Sequence, residues 1–133
     1  MSRARRSRPE DLIQRAVFQH FKIRAAPGVM AWHTPLGGYR KPVEAKILSG
    51  LGVQAGVPDI IAVRASNCPQ CGFGPLGIVY GLELKTEGGR PTEAQSLFIS
   101  RINEFGGYAA VATGIDQALR CLEAWKLLLG KAS

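Results

Sequence analysis

The chain has 133 residues and a mass of 14.3 kDa, enough for one domain around a single core. Its 46% hydrophobic and 20% charged residues exclude a disordered chain, and no apolar run approaches the roughly 20 residues that span a bilayer. The net charge is +7, of which Arg3, Arg5, Arg6 and Arg8 supply four and leave +3 on the remainder, a balance that suits a polyanion partner or a solubilising arm.

Residues 1–8 read as a basic arm. They carry no apolar stretch before Pro9-Glu10-Asp11, so they are not a signal peptide. The expectation is a cytoplasmic, intracellular protein with no membrane attachment and one domain over residues 9–133. Cys68, Cys71 and Cys121 are too few, and odd in number, for a disulfide framework, and they fit a reducing compartment.

The first predicted element is a helix over 9–22. Pro9 suits the first helical turn, Glu10 and Asp11 favour the positive end of the dipole, and Ile13, Val17 and Phe21 recur at four-residue spacing. Glu10 and Gln14 fall on that same stripe, where an acid needs a partner or a task. Val29–His33 reads as a strand, residues 34–41 as a loop rich in glycine and basic residues, and Pro42 opens a short helix to about Leu48. Gly56-Val57-Pro58-Asp59 turns into a strand over Ile60–Val63, and the stretch from Ser66 to Gly77 is a hairpin loop.

The next strand, Ile78–Lys85, has Ile78, Tyr80, Leu82 and Leu84 on one side and Val79, Gly81, Glu83 and Lys85 on the other. Thr92 and Gln95 have capping-box spacing and start a helix to about Phe105. Gly106-Gly107 ends it, Tyr108–Ala112 is a strand, and Asp116 is expected to cap a last helix that ends near Gly130. The expected order is α, β, a short α, β, β, α, β, α.

Asp59 begins one strand and Glu83-Leu84-Lys85 ends the next. If the two form a hairpin, the Asp lies beside the Glu and the Lys. Two carboxylates on one face make a hard-oxygen site for Mg²⁺ or Mn²⁺, and a cation relieves their repulsion. The Leu84 carbonyl is a further candidate ligand, and Lys85 suits the orientation of an attacking water during phosphodiester hydrolysis. Taken singly, Asp59 is also an ordinary turn residue and Glu83 with Lys85 an exposed ion pair.

Pro58-Asp59, then twenty-three residues, then Glu83-Leu84-Lys85 resembles the PD-(D/E)XK nuclease signature. More closely, the chain resembles the VRR-NUC branch and its small stand-alone phage members. The stretches that carry this are Gly37-Gly-Tyr-Arg40, Gly52-Val-Gln-Ala-Gly-Val-Pro-Asp59, Glu83-Leu-Lys85, Pro91-Thr-Glu-Ala-Gln95 and Gly106-Gly-Tyr-Ala-Ala-Val111. Pro-Asp with Glu-x-Lys alone is a weak signal; its setting in Gly-Val-Pro-Asp, with the downstream Gln and Gly-Gly-Tyr, is specific.

The resemblance implies an α/β fold with the αβββαβ restriction-endonuclease-like core, a central mixed sheet flanked by helices and an extra C-terminal helix. It implies a metal-dependent deoxyribonuclease, a homodimeric endonuclease acting on branched DNA such as Holliday junctions or flaps. It also implies that Glu10 completes the metal site of Asp59, Glu83 and Leu84, that Gln14 lines that site, and that Gln95 acts in catalysis, although Glu10 also suits the helix dipole and Gln95 the cap.

Tyr39, Arg40, Lys41, Lys46 and Arg90, with Gln14, are the candidate DNA contacts; Arg101 and His33 are weaker ones. A DNA-binding module without catalysis and a restriction-like duplex nuclease are the competing readings. Cys68-Pro-Gln-Cys71-Gly72 has the shape of half a zinc site, to be completed only across a dimer, or is a tight loop with reduced thiols.

Overall fold

A computed structural model describes residues 8–35 and 42–130. The basic arm up to residue 7 and three of the candidate DNA contacts, Tyr39, Arg40 and Lys41, lie outside the described residues. The elements are α1 (Pro9–Arg24), β1 (Val29–His33), α2 (Pro42–Gly50), β2 (Ile60–Ser66), β3 (Leu76–Lys85), α3 (Glu93–Glu104), β4 (Tyr108–Thr113) and α4 (Gly114–Ala124).

The four strands form one mixed sheet in the order β1-β2-β3-β4. β1 with β2 and β2 with β3 are antiparallel, and β3 with β4 is parallel. The parallel pair needs a crossover, which α3 supplies. Both strands of the central hairpin run further than the sequence pattern indicates, to Ser66 and back to Leu76, and these two residues pair. Alternating burial fades in those outer rungs, so periodicity carried no signal there.

One face of the sheet is closed by α1 and α4. Ile13, Val17 and Phe21 of α1 and Ala118, Leu119 and Leu122 of α4 pack with Ile60, Ala62, Tyr80, Leu82, Leu84 and Ala112 of the sheet. From Ile78 onward the even-numbered residues of β3 point into this core, as alternation predicts. The other face carries α3, which has no buried residue of its own. Two glycines bring α3 down onto the sheet: a Cβ on Gly81 would lie 3.2 Å from Ile102, and one on Gly107 would lie 2.8 Å from the Ile102 side chain and 2.7 Å from the Val79 carbonyl.

The C-terminal region departs from expectation. Thr113, not Asp116, is the N-cap of α4, and the Gln117 side chain accepts from the Thr113 N–H at 2.9 Å. The helix ends at Ala124 rather than near Gly130. Lys126 adopts φ 61°, and the N–H groups of Lys126 and Leu127 return to the carbonyls of Glu123 and Leu122, a Schellman stop. The stop is fixed by tertiary packing, since Leu127 and Leu128 are buried and Leu128 bridges Ala25 at the end of α1. A lysine in the position glycine usually takes hid it from the sequence.

Candidate active site

The β2–β3 hairpin register opposes Ile60 to Leu82, which leaves Asp59 and Glu83 facing each other one step beyond. Their groups interlock. The Asp59 N–H donates to Glu83 Oε2 at 3.2 Å, and the Leu84 N–H donates to Asp59 Oδ2 at 2.9 Å. A strand residue directs its N–H and C=O to the same neighbour, so the Leu84 carbonyl also faces the Asp59 side. Its side chain, only 1% exposed, is in the core on the other face.

Glu83 is 3% exposed and the one buried charged residue of the described core. Its Oε1 accepts from Gln95 Nε2 at 3.0 Å and lies 3.3 Å from Lys85 Nζ. Burial, followed by the adjacent Asp59 charge, pushes its carboxyl up to about 7, with Lys85 opposing the rise. Hydrogen bonding to the Asp59 side chain adds to the rise, and the Asp59 N–H and Leu84 N–H bonds hold the two carboxyl groups at the same end of the hairpin. A buried carboxylate beside a half-buried one favours a cation. Glu83 with Lys85 is therefore not the exposed ion pair that the alternation alone allowed, since their side chains are 3% and 12% exposed.

Gln95 caps α3 and contacts Glu83 with the same side chain. Its Oε1 accepts the Thr92 N–H at 2.8 Å in the capping box of α3, while its Nε2 reaches Glu83. This requires the α3 N-terminus to sit hard against the loop before β2. Gly56, at φ 83°, allows it: a Cβ there would stand 2.3 Å from the Ala94 carbonyl oxygen and 2.7 Å from the Gln95 nitrogen. Pro58 in turn rests on Gly81, whose missing Cβ would lie 3.0 Å from the ring.

On the other flank β1 clamps the same loop. The Thr34 N–H donates to the Asp59 carbonyl at 2.9 Å, the Thr34 hydroxyl donates to the Pro58 carbonyl, and His33 Nδ1 lies 2.9 Å from the Asp59 carbonyl. Thr34 had no signal in the sequence, because its role depends on where β1 ends relative to β2. His33 is exposed and serves the loop backbone.

The remaining predicted residues are more dispersed. Glu10 and Gln14 are half-buried on α1, Lys46 is exposed on α2, and Arg90 is exposed in the loop that leads from β3 to α3. Among the described residues no three His, Cys, Asp or Glu side chains form a metal-holding group, so Glu10 is not gathered with Asp59 and Glu83 in this structure. Also among the described residues, no helix is long and apolar enough to cross a membrane.

The mixed sheet flanked by helices is an α/β fold with the expected αβββαβ order, interrupted only by α2 and followed by α4. The fold is similar to that of a solved structure described as a VRR_NUC domain protein. The match covers 96% of this chain and 94% of that one, with a TM-score of 0.65 and 24% identity. No protein-family model and no curated protein matches the sequence.

Proposed function

We propose that this chain is a divalent-metal-dependent DNA endonuclease of the VRR-NUC type. The observation that carries the reading is the interlocked set Asp59, Glu83, Lys85 and Gln95 at one end of the β2–β3 hairpin, on a fold similar to that of a VRR_NUC domain protein. The donor chemistry fits Mg²⁺ or Mn²⁺: carboxylate oxygens of Asp59 and Glu83 and the Leu84 carbonyl would hold the ion, with Glu10 as a further ligand if the α1 N-terminus closes onto them. A bound ion supplies Lewis-acid charge to a phosphodiester and makes water easier to deprotonate.

The chain's own residues do the rest. Lys85 presents its ammonium beside Glu83, where it orients an attacking water and stabilises negative charge that develops on the phosphoryl group. Gln95 holds the Glu83 carboxylate in place from α3. Arg90, Lys46 and Gln14, together with Tyr39, Arg40 and Lys41, are the proposed DNA contacts, of which the cationic ones give affinity through phosphates without reading sequence. A homodimer acting on branched DNA is the substrate and assembly reading that the VRR-NUC resemblance supports.

The test is a panel of labelled four-way junctions, flaps, splayed arms and duplexes, each with Mg²⁺ or Mn²⁺. Metal-stimulated cutting is expected, with losses of about 100-fold or more in Asp59→Ala, Glu83→Ala and Lys85→Ala while the fold persists. Full activity in Glu83→Ala overturns the assignment. Binding with no metal-stimulated cleavage of any substrate makes the chain a DNA-binding module instead.

A further inference from the structure

The hairpin has a second end, 67–75, and the proposed nuclease chemistry makes no use of it. There Cys68-Pro-Gln-Cys71-Gly72 folds into a tight knuckle. The Cys68 N–H donates to the Phe73 carbonyl and the Gly72 N–H to the Cys68 carbonyl, both at 2.8 Å. Gly72 takes φ 72° immediately after the second cysteine, and a Cβ added there would meet no atom within 4 Å.

Hydrogen bonding from the backbone of Cys71 and then of Gln70, with the Cys71 thiol, holds the Cys68 thiol below its ordinary value and favours its thiolate. The Cys68 thiol meanwhile donates to Gln70 Oε1 at 3.2 Å. Both thiols are free, Cys71 is exposed, and the bond from Gly72 N–H to the Cys68 carbonyl keeps the two cysteines in one turn. Two adjacent sulfurs in a C-x₂-C turn, one of them stabilised by main-chain donors, are half of a tetrahedral thiolate site.

The other half is not in this chain. Cys121 is half-buried on α4, with its thiol pushed up to about 11 by burial. The two histidines stand on α1 and at the end of β1, and no third ligand groups with the pair among the described residues. A second copy supplies two identical sulfurs, and a two-fold axis through the metal generates four ligands from one turn.

We propose that Cys68 and Cys71 bind Zn²⁺ together with the same pair from a second copy, one ion joining two chains through the tips of their β2–β3 hairpins. Each thiol that ligates loses its proton, and the tip's exposure lets two copies approach without disturbing either core. The proposal stands apart from the nuclease reading, because the two ends of the hairpin share no residue.

The experiment loads the full chain with Zn²⁺, removes excess metal by desalting, and measures metal per chain and mass in solution. Co²⁺ replaces Zn²⁺ in a parallel sample for its electronic spectrum. One metal per two chains is expected, with the intense visible bands of a tetrahedral four-sulfur cobalt site, and loss of both in C68S and C71S at unchanged circular dichroism. Three results overturn the proposal: no retained metal, one metal per chain, or retention unchanged in C71S. A Cys68–Cys71 disulfide that forms in place of metal binding under reducing purification does so as well.

Discussion

The two faces of the sheet are built on different principles. The face toward α1 and α4 is a conventional core, where Val17, Ala118 and Leu127 have no exposed surface at all. The face toward α3 leaves Met30 63%, Val79 40% and Val111 37% exposed, and α3 itself leaves Leu97 53% exposed. The first holds its elements by apolar burial; the second holds α3 by close approaches at Gly56, Gly81 and Gly107, by the Gln95 amide and by Asn103 on the Ala109 backbone. The site lies on the second face. Stability and chemistry are thus separated across one sheet, and substitutions on the two sides should report different things.

The largest effect belongs to the packed face. Leu122→Ala removes a 1% exposed side chain between α4 and the sheet and should cost about 2–5 kcal/mol in urea unfolding. It should leave metal-dependent cleavage intact under conditions where the protein remains folded. Leu97→Ala on α3 should cost less than about 0.5 kcal/mol by the same measurement. Similar losses at the two positions would erase the distinction.

Next is Gly56→Ala. The new Cβ would collide with main-chain atoms of Ala94 and Gln95, which cannot swing aside as a side chain can, and φ 83° penalises alanine in addition. A loss on the order of 3 kcal/mol is expected. The α3 N-terminus should move away from Glu83 and take the Gln95 contact with it. An unaltered Gln95–Glu83 contact in a crystal structure of this variant would show that the loop, not α3, yields.

A smaller and pH-dependent effect follows from Glu83. The folded chain holds this proton up to about 7, above the ordinary 4.5, so it binds the proton more tightly than the unfolded chain does. The resulting stabilisation is complete below pH 4.5 and is lost as pH rises through 7. Metal-free protein should therefore lose on the order of 2 kcal/mol between pH 4.5 and pH 8 from this group. Glu83→Gln, with no carboxyl to ionise, should flatten that slope in denaturant titrations. An unchanged slope would assign the pH dependence to other groups.

The sequence made some of this legible and hid the rest for identifiable reasons. Alternation along 78–85 separates Leu82 and Leu84 from Glu83 and Lys85, and the two-strand reading brings Asp59 to them; both rest on local periodicity. The capping-box spacing located the start of α3. The clamp of Thr34 on the loop, the collision surface of Gly56 and the Lys126 stop depend on contacts between distant segments, and nothing local encodes them. Glu10 illustrates the converse: its stripe position marked it as unusual, but a helical stripe fixes direction without fixing distance from Asp59 and Glu83.

Gln95 joins a helix cap and a site contact in one side chain, and its substitutions separate the two. Gln95→Ala removes the acceptor for the exposed Thr92 N–H and the donor to Glu83 Oε1. Water replaces the first readily and the second poorly, since Glu83 is buried. The expected cost is about 1 kcal/mol, with a further rise in the proton affinity of Glu83. Gln95→Glu keeps an acceptor for the cap and sets a second negative charge against Glu83. If capping were its whole role, Gln95→Glu would match the wild type in stability and cleavage. If the contact with Glu83 matters, Gln95→Glu should be the more damaging substitution above pH 7 and should recover as Glu83 takes up its proton. Unfolding and cleavage measured at pH 6 and pH 8 decide between the two, because a cap made of main-chain and carboxylate groups has no reason to change over that interval.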